Sequence, residues 1–201
     1  MQLPFPTEAP SELLPFDGSS LYFGPIFSSE TATVLFQELL EVIDWQHDVV
    51  RLYGKTYVTK RKVAWYGDVA FAYAYSNTVK TALPWTATLC EIKRDVEIRT
   101  GHAFNSCLLN LYHDGTEGMS WHSDDEDTLD PLSPIASVSL GATRKFSFRH
   151  NVTGEKKAVA LETGSLLLMD AVSQRFWKHA LMKTAKVTTP RINLTFRKMK
   201  A

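Results

Sequence analysis

The chain has 201 residues, 44% of them hydrophobic and 22% charged, which suffices for one sizeable core and argues against several domains. No run approaches the roughly 18 apolar residues that cross a bilayer, and no basic-then-apolar secretory pattern opens the chain, so a soluble intracellular protein with no membrane partner is expected, cytoplasmic or, in a eukaryote, nuclear. Cys90 and Cys107 are too isolated for a disulfide framework or a cysteine-rich zinc site and read as reduced core residues.

Residues 1–18, with Pro4, Pro6, Pro10 and Pro15, read as an extended or disordered arm. A strand is expected at Leu21–Phe23. Ser28 or Ser29 then offers an N-cap, and Val34, Leu35, Leu39, Val42 and Ile43 recur at helical spacing, which predicts a helix over about 29–44. Residues 48–76, rich in Val, Thr and Tyr, predict strands and hairpins. A second helix follows Pro84, carries Leu89, Ile92 and Val96 on one side and stops at Gly101. From residue 106 onward short alternating strands are separated by turn residues at Asp114-Gly115, Pro131 to Pro134, Asn151 to Gly154 and Gly164, the pattern of a β-sandwich or jelly roll. Helices ahead of a β region predict an α+β protein with a helix layer against one sheet.

The net charge of zero conceals an asymmetry. Residues 1–141 hold 9 Lys+Arg against 19 Asp+Glu, whereas residues 142–201 hold 13 against 3. The basic C-terminal third either attracts polyanions or scatters lysines over exposed strands.

In Trp121-His122-Ser123-Asp124 the His and Asp are two apart, so on extended backbone they leave the same face and can share one ion. With His179 from a later strand they would form a facial triad of two imidazoles and a carboxylate, which leaves coordination positions open on Fe(II). A lone His-x-Asp is also an ordinary solvated pair. His47, His102, His113 and His150 lie near loops or strand ends and read as solvated or structural. In Arg191-Ile192-Asn193-Leu194-Thr195-Phe196-Arg197, strict alternation puts Arg191, Asn193, Thr195 and Arg197 on one face and the apolar residues on the other. Two guanidiniums on one face suit a ligand with two carboxylates; the alternative is an edge strand with solvated arginines. Asn110 and Tyr112 share a face of the strand Cys107 to Tyr112 and would complete the same cradle.

Asn110-Leu111-Tyr112, His122-Ser123-Asp124, His179 and the Arg-x-Asn-x-Thr-x-Arg strand together resemble the AlkB family of nucleic-acid dealkylating dioxygenases. The likeness extends through Pro134 to Ala142, Lys145 to His150, Tyr66-Gly67-Asp68 and Tyr53-Gly54-Lys55, and is strongest to the branch that repairs duplex DNA. It implies a double-stranded β-helix (jelly roll) over residues 106–201, with supporting helices and a nucleotide-recognition lid over 19–105 and the arm at 1–18, all in one compact domain. It further implies Fe(II) on His122, Asp124 and His179, with O2 and 2-oxoglutarate as co-substrates. Arg191, helped by Tyr112, would take the distal carboxylate of 2-oxoglutarate, while Asn110, Asn193, Thr195 and Arg197 line the rest of its pocket.

The implied reaction is oxidative demethylation of 1-methyladenine and 3-methylcytosine in DNA, with release of formaldehyde, succinate and CO2. Those bases are cationic and flat, which calls for carboxylates and aromatic faces. Asp125 and Glu126 would approach the base together with Arg61; Asp127 and Asp130 read equally as a solvated loop. Trp65, Tyr66, Phe71, Tyr73 and Tyr75 form an aromatic cluster, much of it core. The resemblance places Tyr73 and Tyr75 against an extruded base and Tyr53 at the tip of a finger that fills the vacated stack, where the family has Phe. Lys183 and Lys186 would meet phosphates. The expected partner is alkylated DNA, single- or double-stranded, bound by a monomer. RNA or a protein side chain is the alternative substrate, and a catalytically silent jelly roll that binds nucleic acid is the alternative of a different class.

Overall fold

The structure, a computed structural model, describes residues 9–52, 55–75 and 78–200; the side chains of 50–52, 55, 72–75 and 78–80 are outside that description. Two short strands open it, β1 (Ser11–Glu12) and β2 (Ser20–Pro25), followed by helix α1 (Ser29–Val42). Next come β3 (Gln46–Leu52), β4 (Lys55–Gly67), β5 (Ala72–Tyr75), β6 (Thr78–Thr81), β7 (Leu83–Pro84) and helix α2 (Ala87–Thr100). The remainder is β8 (Ser106–Tyr112), β9 (Met119–His122), β10 (Ile135–Gly141), β11 (Arg144–His150), β12 (Lys156–Leu161), β13 (Ser165–Met169), the single turn α3 (Ser173–Phe176), β14 (Trp177–Leu181) and β15 (Arg191–Arg197).

Both long helices form where the sequence expects them, and each has its stop signals. The Ser28 hydroxyl accepts from the Thr31 amide at 3.1 Å and the Thr86 hydroxyl from the Leu89 amide at 3.2 Å, caps worth about 1 kcal/mol each. Gly101 takes the left-handed conformation, φ 73°, that ends α2, and its amide donates to the Glu97 carbonyl.

Among the described residues, a large sheet runs β1-β2-β13-β10-β15-β8-β4-β3, with β7 parallel to β4, and a second sheet runs β12-β11-β14-β9. This is the jelly-roll architecture that the alternating strands imply. One face of the large sheet, carrying Leu109, Leu111, Val138, Leu140, Leu166, Ile192, Leu194 and Phe196, packs on Leu35, Phe36 and Leu39 of α1 and Leu89, Ile92 and Val96 of α2. Fully buried Leu or Ile side chains of this kind contribute about 1.5–3 kcal/mol each. The helix layer therefore claims one face of the large sheet, and strand periodicity leaves the opposite face to meet the second sheet. A smaller cluster of Leu14, Ile135, Phe148, Leu161, Leu167, Met169 and Trp177 belongs to that inter-sheet space.

One expectation is corrected here and one alternative is set aside. Cys107 is a core residue, but Cys90 lies on the outward side of α2 and is exposed. The Arg191–Arg197 strand is no edge: β15 runs between β10 and β8, which takes Arg191 out of solvent. Of the N-terminal arm, residues 9–18 are held against the barrel. Ser11–Glu12 pairs with β2, Leu14 is buried, and the Trp177 indole donates to the Phe16 carbonyl at 3.0 Å.

Candidate active site

β15 has Ile192, Leu194 and Phe196 fully buried beneath the helices, so its polar alternates face the inter-sheet space. β8 pairs with it so that Asn110 lies opposite Asn193 and Tyr112 opposite Arg191. From the second sheet, β14 and β9 bring His179 directly opposite His122. A cavity of about 460 Å3 results, lined by all three triad residues and by Asn110, Tyr112, Arg191, Asn193, Thr195 and Arg197.

The ligating atoms of His122, Asp124 and His179 lie within 4.8 Å of one another. The two Nε2 atoms are 3.1 Å apart, and Asp124 oxygens lie 3.8 and 3.9 Å from them. Cis ligands each roughly 2.1 Å from one ion sit about 3 Å apart, so the imidazole pair has the spacing of two donors to a common metal. Nδ1 of His122 lies 2.8 Å from the Ser120 carbonyl; a proton held there leaves Nε2 as the ligating nitrogen. The ring of His179 stacks on Phe146, 5.3 Å between centroids. Burial lowers the His179 imidazole to about 4, against an opposing pull from Asp124, so it is neutral and ligand-ready at pH 7. Burial pushes the Asp124 carboxyl up, but Arg197, His179 and His122 more than offset that and hold it at about 2. Two imidazoles and one ionised carboxylate are a donor set that Fe(II) takes.

The arginines are committed at one end and open at the other. Arg191, 2% exposed, donates to the Ser139 hydroxyl at 2.8 Å and sits 5.6 Å from the Tyr112 ring centroid. Burial lowers its guanidinium to about 10. Arg197 pairs with Asp124 at 2.8 Å. Nε of each is buried without a hydrogen-bond partner, a donor pair that fits a dicarboxylate. Asn193 is more structural than the sequence implies: its amide donates to the Ser137 hydroxyl at 2.8 Å and the Val138 carbonyl at 3.1 Å, while the Thr195 hydroxyl lies 3.2 Å from its oxygen.

Toward the β4 edge of the large sheet the same cavity is lined by Asp48, Arg61, Val63, Trp65 and Met119, with Glu126 also in its wall. Arg61 and the acids after the triad do not meet as expected: the ion pair of Arg61 is with Asp48. Glu126 reaches the cavity with one carboxylate oxygen buried and unpartnered. Asp125 is exposed and lines a neighbouring cavity of about 200 Å3, not the one that holds the triad. Tyr73 and Tyr75 are alternate residues of β5, which pairs with β6, and their side chains lie outside the described structure. Tyr53 lies outside the described residues altogether. None of His47, His102, His113 and His150 joins the triad; His150 is buried against Asp17 and His113 bonds Glu117.

Sequence reasoning missed three groups. Ser137 and Ser139, which hold Asn193 and Arg191, were visible as a small polar alternation inside Ile135–Gly141. Gln174 of α3 accepts the Asp124 amide at 3.0 Å and so ties the carboxylate ligand to the segment leading into His179. Asp48 stands among valines in β3, and only the sheet register brings it to Arg61.

A jelly roll that places two imidazoles and a carboxylate beside buried arginines has the layout of a non-haem iron oxygenase. Residues 20–197 match the family model of the 2OG-Fe(II) oxygenase superfamily. The chain is 37% identical over 194 residues to human DNA oxidative demethylase ALKBH2, covering 91% of this chain and 74% of that protein. It is 34% identical over 186 residues to human alpha-ketoglutarate-dependent dioxygenase alkB homolog 3, covering 88% and 64%. The solved structure of OsALKBH1 superposes with a TM-score of 0.66 at 15% identity, over 89% of this chain and 97% of that one, a likeness of fold. The chain belongs to the 2OG-Fe(II) oxygenase superfamily and, within it, to the AlkB family. Its cofactor chemistry is accordingly that of Fe(II), 2-oxoglutarate and O2. Among the described residues no helix is long and apolar enough to cross a membrane.

Proposed function

We propose that this chain is an oxidative demethylase of N-alkylated bases in DNA, with 1-methyladenine and 3-methylcytosine as its substrates. Its co-substrate 2-oxoglutarate and one atom of O2 leave as succinate and CO2, and the methyl carbon takes the other oxygen atom and leaves as formaldehyde, its nitrogen regaining a proton. The observation that carries the reading is a single cavity whose wall holds the triad and the buried arginines together with Trp65, Met119, Arg61 and Glu126. The relatives at 34–37% identity, named as a DNA oxidative demethylase and an alpha-ketoglutarate-dependent dioxygenase, agree with it.

His122, Asp124 and His179 would hold Fe(II), which would supply oxygen activation once 2-oxoglutarate is bound; the protein supplies position, charge and dryness. Asp124 stays ionised because Arg197 is paired with it, and Gln174 fixes its backbone. Arg191 and Tyr112 take the distal carboxylate of 2-oxoglutarate, while Asn110 and Thr195 wall its pocket. Arg197, beside Asp124, would take the other carboxylate of 2-oxoglutarate. Phe146 covers His179 and excludes water from that side. On the substrate side the unpartnered oxygen of Glu126 is an acceptor for a base that is cationic or carries an exocyclic amine. Tyr73 and Tyr75 on β5 and Tyr53 between β3 and β4 are assigned to stacking the extruded base and filling its place. Lys183 and Lys186, exposed between β14 and β15, are assigned to phosphates.

A screen of oligonucleotides carrying single methylated bases, in DNA and in RNA, against N-methylated peptides tests this by formaldehyde release. Release from 1-methyladenine or 3-methylcytosine DNA is expected, and release confined to peptides refutes it.

A further inference from the structure

We propose that Asp48 is a specificity-determining residue of this site: it neutralises Arg61 in the cavity wall and so lets the cavity accept a base that carries a positive charge. The inference rests on the demethylase reading above and adds to it the origin of the charge preference.

Asp48 and Arg61 come from β3 and β4 and form an ion pair whose side chains are 12% and 10% exposed. Both line the main cavity. The pair sits at an irregularity of the sheet: His47 lies opposite Lys62, but Val49 lies opposite Val58, so β4 has extra residues there. Bulges of this kind re-aim side chains and accumulate beside functional sites. This one is held by the Thr59 hydroxyl, which donates to the Arg61 carbonyl at 2.8 Å, and by His47 Nδ1, 3.0 Å from the Thr59 carbonyl.

The guanidinium of Arg61 has two further neighbours, while its Nε is buried without a hydrogen-bond partner. Nη1 lies 3.5 Å from the Met119 sulfur, and Cζ lies 6.0 Å from the Tyr112 ring centroid. A cation fixed in this way cannot swing into solvent when a second cation arrives. Alone it would repel 1-methyladenine and 3-methylcytosine, both of which carry a positive charge. Paired with Asp48 it presents a compensated wall. A methylated base without charge, such as 3-methylthymine, is indifferent to the difference. An uncompensated charge at this range in a partly buried site is worth about tenfold in relative affinity.

The test uses two matched oligonucleotides that differ only in the lesion, 3-methylcytosine (cationic) and 3-methylthymine (neutral), and reads the ratio of their kcat/KM values, with affinities by fluorescence anisotropy alongside. Asp48→Asn is expected to lower the cationic-to-neutral ratio about tenfold. Arg61→Gln removes the cation from the wall while keeping the Asp48 carboxylate and is expected to raise it. The double variant is expected to return to within about threefold of wild type, as cancelling charges do. An unchanged ratio in Asp48→Asn, a fall in Arg61→Gln, or a double variant that stays low overturns the proposal. Should Asp48→Asn fail to fold, Arg61→Gln and the double variant still decide by sign. A wild-type protein that acts on neither oligonucleotide refutes the demethylase reading instead.

Discussion

Replacing Arg191 by Gln separates ligand binding from folding by sign. The guanidinium is 2% exposed, bonded to Ser139 and faced by Tyr112, and burial has already lowered its pKa to about 10. Without a dicarboxylate it is a poorly compensated buried cation, so its removal costs the ligand-free fold little: the lost bond to Ser139 is worth about 1 kcal/mol and is offset by the charge no longer desolvated. With the dicarboxylate the balance reverses. Truncating one side of a buried, hydrogen-bonded charge pair costs about 3–5 kcal/mol, or roughly two to four orders of magnitude in 2-oxoglutarate affinity. Calorimetric titration of 2-oxoglutarate into the Mn(II)-loaded protein without oxygen measures the second effect, and thermal melts of the ligand-free protein the first. At a concentration of 100 times its Kd, 2-oxoglutarate stabilises the wild-type fold by about 2.7 kcal/mol, an increment expected to vanish in the variant. A variant that binds 2-oxoglutarate within threefold of wild type, or that unfolds without ligand, refutes the assignment.

Other outcomes follow from the same geometry. Gln174→Leu leaves the Asp124 amide buried without its acceptor and should weaken Mn(II) binding about tenfold, read by titration of the metal-free protein. Leu194→Ala, fully buried between the large sheet and the helices, should lower stability in urea by about 3–5 kcal/mol with an unchanged m-value. A Cβ on Gly115 would lie 2.1 Å from the Thr184 carbonyl, so Gly115→Ala should displace the 182–187 connection and weaken DNA binding more than 2-oxoglutarate binding. His179 is a base whose folded pKa is depressed from 6.5 to about 4, so the unfolded chain binds the extra proton between those values. The metal-free protein should therefore lose stability as pH falls from 6.5 toward 4, a slope that His179→Gln should flatten in urea melts taken across that range.

The features legible in the sequence were those with a short period. Two-residue alternation in Arg191–Arg197 and in Cys107–Tyr112 located both the core face and the cavity face, because a strand buried by helices on one side leaves its other side free for ligands. Spacing of two in His122-x-Asp124 pointed to the right pair, although Asp124 lies just beyond the end of β9. Helical spacing with Ser28, Pro84 and Gly101 as punctuation located α1 and α2 to within two or three residues. What stayed hidden depends on register between distant strands. Asp48 meets Arg61 only through the irregularity between β3 and β4, and Gln174 meets Asp124 only because α3 folds back beside β9. A central place for β15 was equally invisible, since alternation reads the same in an edge strand as in a middle one. Cys90 looked apolar enough for the core and failed because its helix has a second, outward side.

A crystal grown with Mn(II) and 2-oxoglutarate tests the central claim most directly. Anomalous density for one ion bonded to Nε2 of His122, Nε2 of His179 and a carboxylate oxygen of Asp124, with the far carboxylate of 2-oxoglutarate paired to Arg191, is the predicted result. An ion bound elsewhere, or a dicarboxylate that does not reach Arg191, would contradict it.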